Sequence, residues 1–504
     1  MSDRKDGEKK MATEKARGEG EDDDKKIAST SEEQQPIVEG NTKTTVEKER
    51  GEGEADDIEE ESQAEEPAKT LSKPSSSSLL KSTFEIFGPG IITGASDDDP
   101  SGIATYSQVG AQFGFGMLWM VLLLYPLMTV VQEMCARIGL VAGSGLAGVI
   151  KKRHSKKILY PIASLLLIAN TINIGADIGA MSASIRLIFP QLPFVLVSLA
   201  FVAFILLSEI LVSYNKYVKI LKYLTLSLFA YVATTIIVGG DLQQVLVGTI
   251  LPHIEFNANF AMLFVAVVGT TISPYLFFWQ ASEEAEEDVA KKKIKDIGKG
   301  RPKVSKKEVK IMRADVMLGM AFSQLIMWAI MVSTAGTLHA NNVTDIATAD
   351  QAAKALEPLV KSFPYAGVIA KMIFALGIIG TGLLAVPVLA GSCGYALSDA
   401  FGWRQGLSRK FGQAKHFYLI IAASTIIGLW INFTNIDPIK ALIYTAVING
   451  IVAVPMLFAI MRIANDKKIL GEDMTNKRLS NVLGWIAFVI MSVSVLILVI
   501  TWGK

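Results

Sequence analysis

From Phe84 onward, long apolar runs alternate with short polar connections, and the runs have the length of about 20 residues that a helix needs to cross a bilayer. The pattern predicts about eleven spans, near 84–110, 116–140, 158–189, 193–213, 218–239, 259–282, 312–338, 365–398, 416–433, 438–463 and 480–502. The run 158–189 is longer than one straight crossing, which predicts tilt or a surface turn. Charge sorts the connections into two alternating sets. "KKRHSKK", "NKYVK", "KKKIKDIGKGRPKVSKKEVKIMR", "RQGLSRKFGQAK" and "RIANDKKILGEDMTNKR" are basic. "AQFGFG", "FPQLP", "GGDLQQVLVGTILPHIEFN" and "NFTNIDP" contain no Lys or Arg, and the connection after the seventh span has only Lys354 and Lys361. The positive-inside rule then places the N-terminus in the cytoplasm and the C-terminus outside, in a multi-pass protein of the cell (plasma) membrane.

Two runs are broken by polar residues and proline. "GASDDDPSGIATY", residues 94–106, puts three consecutive carboxylates inside the first run. Each Asp costs about 2.5–3.5 kcal/mol at the bilayer centre, so Asp97, Asp98 and Asp99 together would cost about 8–10 kcal/mol if uncompensated. The expected interruption covers Asp99-Pro100-Ser101-Gly102, and the sixth run has a counterpart at Thr270-Thr271-Ile272-Ser273-Pro274. Proline removes a helical hydrogen bond and turns the preceding residue away from helix. Breaks five spans apart fit two inverted repeats, spans 1–5 and 6–10, with a binding site near the bilayer midplane. Freed carbonyls and a carboxylate make that site electronegative, so its ligand is expected to be a cation.

Composition divides the chain once. Residues 1–82 carry 23 Asp/Glu and 14 Lys/Arg, a difference of −9, and lack aromatic side chains. Such a segment cannot bury enough apolar surface to offset ordering, so 1–82 is expected to be a disordered acidic cytoplasmic tail, with 83–504 the transmembrane transporter domain. No apolar core of a secretory signal opens the chain. Cys135 and Cys393 both fall in spans and imply no disulfide framework. His154, His253, His339 and His416 are all expected in loops, which argues against a histidine-ligated metal centre.

The run "GPGIITGASDDDP", Gly88 to Pro100, resembles without a gap the first-helix motif of the natural resistance-associated macrophage protein (Nramp) family, and "GTGLLAVPVLAG" in span eight is also similar. The likeness extends over about residues 84–465. It implies an all-α membrane protein on a LeuT-like 5+5 inverted repeat, with helices 1 and 6 broken, moving divalent metals. The departures are specific. The family reads Asp-Pro-Gly-Asn; here Ser101 and Gly102 follow Asp99 and Pro100, so the asparagine ligand is lost. The family's Met-Pro-His becomes Ser273-Pro274-Tyr275, which removes the thioether that favours transition metals. The acidic pair tied to proton movement falls on Asn173 and Ala176. This pattern resembles the Nramp-related magnesium transporter branch more than the classical proton-coupled carriers.

Carboxylate, carbonyl and hydroxyl oxygens without sulfur or imidazole suit Mg²⁺, Ca²⁺ or Mn²⁺. Mg²⁺ keeps several waters and needs only one or two carboxylates, and small Ser101, Gly102 and Ser273 leave room for that shell. Asp99 is the expected anchor, directly or through water, with the carbonyls of Ser96 and Thr270 and with Ser273 completing the cavity. Asp97 and Asp98, about 100° apart on a helix, are not expected to face one cavity; one of them lines the access path. Asp177 is a second cation or proton candidate or a structural carboxylate, and Asn449 could reach the site. Glu133 and Glu209 are expected in helix packing, and "SEEAEED", 282–288, as a solvated helix end. The expected function is secondary transport of Mg²⁺, and also Mn²⁺, without proton coupling. Alternatives are a proton-coupled Mn²⁺/Fe²⁺ symporter and a sodium-coupled organic-solute carrier, although three acids disfavour an anionic substrate. An intramembrane aspartyl protease would need a Gly-x-Gly-Asp signature that is missing, so no enzyme is expected. The partners are the divalent metal ion and the lipid bilayer, with no nucleic acid and no cofactor beyond the transported ion. One chain is expected to suffice.

Overall fold

A computed structural model describes residues 88–153, 156–212, 226–238, 242–433 and 436–501. The expected 1–82 tail, His154 and the "NKYVK" connection lie outside the described residues. The regular elements of the described chain are all helices, joined by short irregular segments. The first run forms two helices, α1 (Pro89–Asp97) and α2 (Pro100–Phe113). Then come α3 (Met120–Ala142), the short α4 (Leu146–Arg153), α5 (Lys156–Ile188), α6 (Phe194–Leu211), α7 (Phe229–Val238) and α8 (Leu242–Ile250). The sixth run also forms two, α9 (Ala258–Thr271) and α10 (Pro274–Ala290). The remainder is α11 (Lys306–Thr337), α12 (Ala349–Ala353), α13 (Ala366–Phe401), α14 (Lys415–Leu429), α15 (Pro438–Ala464), α16 (Lys467–Leu470) and α17 (Arg478–Thr501).

Among the described residues, nine helical stretches are long and apolar enough to cross a membrane, with α9 and α10 taken as one. The expected first span adds the α1–α2 pair, each half of which is short. The expected fifth span contributes the apolar stretch Leu226–Val238, and the rest of it falls outside the described residues. The 158–189 run has no surface turn: α5 is one 33-residue helix that carries Pro161 in its first turns.

Both breaks are shorter than expected and are built alike. Pro100 and Pro274 are the first residues of α2 and α10, where a missing N–H costs nothing and the fixed φ suits the helix. Thus Pro100, Ser101 and Gly102 are already helical, as are Thr270 and Thr271 at the end of α9. Only Asp98-Asp99 and Ile272-Ser273 are unwound. Asp99 and Ser273 hold extended backbone, which the following proline demands. Each proline also withholds the donor that the carbonyl four residues earlier would receive, and those carbonyls belong to Ser96 and Thr270.

Glycine contacts hold the broken helices close to their neighbours. α1 packs on α11 and α9 on α15. A Cβ at Gly94 would overlap the Gly319 backbone, and one at Gly269 would overlap α15 at Ala446 and Gly450. Asp315 of α11 fixes the start of α1 by accepting from the Gly88 and Gly90 amides at 3.1 and 2.7 Å.

Other acids find structural partners. Glu133 bonds Arg137 at 2.9 Å and Arg313 at 2.8 Å, which fits its expected packing role. The 282–288 acids are not a solvated helix end. α10 continues to Ala290, and Glu284, Glu286 and Asp288 are buried because connecting segments fold over them. Glu286 accepts from the Leu407 and Ser408 amides and from the Tyr395 hydroxyl. His253 lies in a loop and His339 in a short turn of helix, but His416 belongs to the first turn of α14 and stacks on Trp403 at 4.6 Å.

Candidate cation site at the paired helix breaks

Asp99 caps α2. Its Oδ1 accepts from the Gly102 amide at 2.8 Å and from the Ser101 hydroxyl at 2.6 Å. The cap follows from sequence, since an Asp before Pro at N1 is extended and presents its carboxylate to the free N–H groups of the first turn. Its Oδ2 receives Asn173 Nδ2 of α5 at 3.2 Å and lies 3.4 Å from the Tyr275 hydroxyl of α10. Ser101 Oγ also sits 3.3 Å from Thr270 Oγ1 at the end of α9. One carboxylate thus gathers α2, α5 and α10, with α9 one hydroxyl away, and it is 1% exposed.

The other expected residues fall around this junction in different ways. The Ser96 carbonyl, left without its helical donor by Pro100, accepts from Tyr275 Oη at 2.7 Å. Thr270 is brought in through its hydroxyl, while Pro274 strips the helical donor from its carbonyl. Ser273 stands at the second break, and its hydroxyl is buried with no hydrogen-bond partner. A Cβ at Gly102 would lie 3.3 Å from both the Asp97 carbonyl oxygen and a Tyr106 ring carbon and 3.5 Å from Thr270 Oγ1, so even a methyl group would fit tightly and the room expected beside this glycine is not there.

Asp97 and Asp98 behave differently from expectation. Both approach one hydroxyl, Ser323 of α11, at 2.5 Å from Asp97 Oδ2 and 3.5 Å from Asp98 Oδ1. The 100° rule fails because Asp98 has left the helix, with φ −85° and ψ 50°, and swings back toward its neighbour. Asp97 is therefore turned to α11, while Asp99 is turned to α5 and α10. One oxygen of each, Asp97 Oδ1 and Asp98 Oδ2, has no partner.

Further unpartnered polar atoms surround the junction. Asp177, one turn along α5 from Asn173, has both carboxylate oxygens buried and unpaired. Asn449 of α15 has both amide atoms unpaired, and Thr105 and the Asn173 carbonyl oxygen are also unpaired. Buried polar atoms are normally satisfied, so these unpartnered groups are free to take polar ligands or water. Among the described residues no group of three or more His, Cys, Asp or Glu side chains is arranged to hold a metal ion. The groups gathered around Asp99 are instead hydroxyls, the Ser96 and Thr270 carbonyls and the Asn173 amide, so a cation held there would meet one carboxylate and neutral oxygens. Sequence reasoning did not foresee Asn173 and Tyr275 as partners of Asp99, nor Ser323. Asn173 and Tyr275 stand out in the sequence only as departures from the family motifs, and Ser323 only as a polar residue on an apolar helix.

Comparison with known proteins gives the same architecture. The model of the family described as natural resistance-associated macrophage protein-like matches residues 90–501. The chain is 24% identical over 421 residues to the divalent metal cation transporter MntH of Erwinia tasmaniensis, covering 82% of this chain and 93% of that one. It is 21% identical over 444 residues to MntH 1 of Pseudomonas aeruginosa, covering 86% and 95%. Among solved structures it is similar to a crystal structure of the Eremococcus coleocola manganese transporter, with a TM-score of 0.67 and 18% identity over 85% of this chain and 88% of that one.

Proposed function

Since the chain belongs to the Nramp family, we propose that it is a secondary transporter of divalent metal cations, not an enzyme, with Mg²⁺ as its preferred substrate and Mn²⁺ also carried. The observation that carries this reading is the Asp99 carboxylate, buried where both helix breaks meet and hydrogen-bonded to hydroxyl, backbone amide and side-chain amide groups. A cation offsets the cost of a buried carboxylate in a bilayer; an anionic or neutral solute does not. Divalent metal transport is also what the names of its relatives describe.

The metal preference follows from the donors. Among the described residues no sulfur or imidazole is hydrogen-bonded to Asp99, and Ser273 stands where a thioether would favour soft ions. The unpaired hydroxyl of Ser273 suits an ion that keeps part of its water shell, as Mg²⁺ does, because it can bond a water of that shell. Asp99 serves as anchor, with the Ser96 and Thr270 carbonyls and Ser273 Oγ as further oxygen donors. Asp97, held by Ser323, takes part at the edge of the site. An inside-negative membrane potential would draw a divalent cation inward. Uptake into proteoliposomes holding a Mg²⁺-sensitive dye, with competing Mn²⁺, Ca²⁺ and Cd²⁺, tests the reading. Mg²⁺ should enter and Cd²⁺ should compete poorly; a tenfold preference for Cd²⁺ over Mg²⁺ would refute the hydrated-cation site.

A further inference from the structure

The Ser96 carbonyl and the Asp99 carboxylate lie on opposite sides of the first helix break, and one hydroxyl reaches both. Tyr275 Oη donates to Ser96 O at 2.7 Å and stands 3.4 Å from Asp99 Oδ2. Pro100 is the reason this carbonyl is open, because residue 100 is where the helix would have supplied an N–H. A cation bound between the half-helices would require the same two oxygens. We propose that the Tyr275 hydroxyl is a built-in competitor for the transported cation, occupying its oxygen donors until the ion displaces it. This inference rests on the cation reading above.

A competitor acts differently from a ligand. Tyr275 is 1% exposed and packed inside α10, so its hydroxyl is held at the break and is not free in solution. Releasing it costs the same whichever ion arrives. The effect is therefore a threshold: every cation is weakened by one common factor, and ratios between cations are left alone. A divalent ion, gaining about twice the Coulomb attraction from Asp99 that a monovalent ion gains, still binds at the weakened level. Sodium, weaker to begin with, is moved out of range. Tyr275 would thus keep an abundant monovalent ion off the site without contributing to the choice among divalent ions. The asymmetry between the breaks fits this role, because Thr270 sits in the corresponding place before Pro274 and no tyrosine hydroxyl is bonded to its carbonyl among the described residues.

The test is the Tyr275→Phe variant, which removes one oxygen and keeps the ring. Binding of Mn²⁺ and of Mg²⁺ is measured calorimetrically on purified full-length protein, with and without Na⁺, beside Asp99→Asn. One net hydrogen bond removed from the unliganded protein predicts tighter binding of both ions by the same factor, about 3- to 10-fold. Sodium should then compete at concentrations that wild type ignores. Weaker binding would make the phenol oxygen a ligand and overturn the inference, as would unchanged binding or a changed Mn²⁺/Mg²⁺ ratio. If wild type binds neither ion, or Asp99→Asn binds both as wild type does, the cation reading itself fails. A measurement on wild type alone covers the case in which Y275F does not fold. Infrared difference spectra on adding Mn²⁺, with ring-deuterated tyrosine as the label, should show a tyrosine hydroxyl losing its carbonyl acceptor; no tyrosine band change would overturn the inference.

Discussion

At the residue scale, Asp99 combines two jobs that substitutions can separate. It caps α2 through Gly102 and Ser101, and it carries the charge at the junction. Asp99→Asn keeps an oxygen for the cap and removes the charge, so the protein should fold and melt near wild type while metal uptake falls to background. Asp99→Ala also loses the cap, and should be less stable than the Asn variant by about 1 kcal/mol. Wild-type uptake by Asp99→Asn at sub-millimolar metal would remove Asp99 from the site. Ser273 offers the complementary test, because its hydroxyl has no protein partner to lose. Ser273→Met introduces a thioether at the second break and should raise the Cd²⁺-to-Mg²⁺ uptake ratio about tenfold, the equivalent of about 1.4 kcal/mol. Competition uptake in proteoliposomes reads that ratio directly.

Helices set the next scale, and the broken ones depend on close backbone contact. α1 meets α11 where Gly94 faces Gly319, leaving no room for a methyl group between the two backbones. Gly94→Ala must therefore push α1 outward, at a cost of about 1–3 kcal/mol, the usual range for an overpacked interior. The expected result is a lower melting temperature in detergent, together with lost uptake because Asp97 through Asp99 move with the helix. Gly412 is the control, since nothing lies within 4 Å of a Cβ placed there, and Gly412→Ala should melt like wild type. Equal melting of the two variants would show that the α1–α11 contact is not a constraint.

For the whole molecule the open quantity is the driving force. Two charges crossing 100 mV gain about 4.6 kcal/mol, enough to drive uptake without a second ion. Asn173 and Tyr275, at the positions where the family resemblance expects ionisable groups, are here neutral hydrogen-bond donors to Asp99 and Ser96. Metal uptake should therefore rise with an imposed inside-negative potential and leave internal pH unchanged, both measurable in the same liposomes. Asp177 supplies the contrary case: its two unpaired oxygens lie one turn from Asn173. A metal-driven pH drop that disappears in Asp177→Asn would place a proton path there.

Much of this was legible in the chain itself. Apolar runs of bilayer length predict the spans, because backbone groups in lipid must be satisfied within each helix. The two proline-bearing breaks could be read as well, since proline acts on its own neighbours and needs no tertiary context. Their extent could not be read as surely, because Pro100 and Pro274 begin helices as readily as they end them, and Thr270 and Gly102 proved helical. Ser96 and Thr270 were legible as open carbonyls for the same local reason. Which groups turn toward Asp99 was decided only in three dimensions. Asn173 is 74 residues from Asp99 and Tyr275 is 176 residues away, and no local pattern fixes contacts over such separations. The pairing of Asp97 and Asp98 on Ser323 required both the local unwinding at Asp98 and the packing of α1 on α11. Periodicity determines which residues are helical and roughly where helices stop; helix packing determines which polar side chain each carboxylate meets.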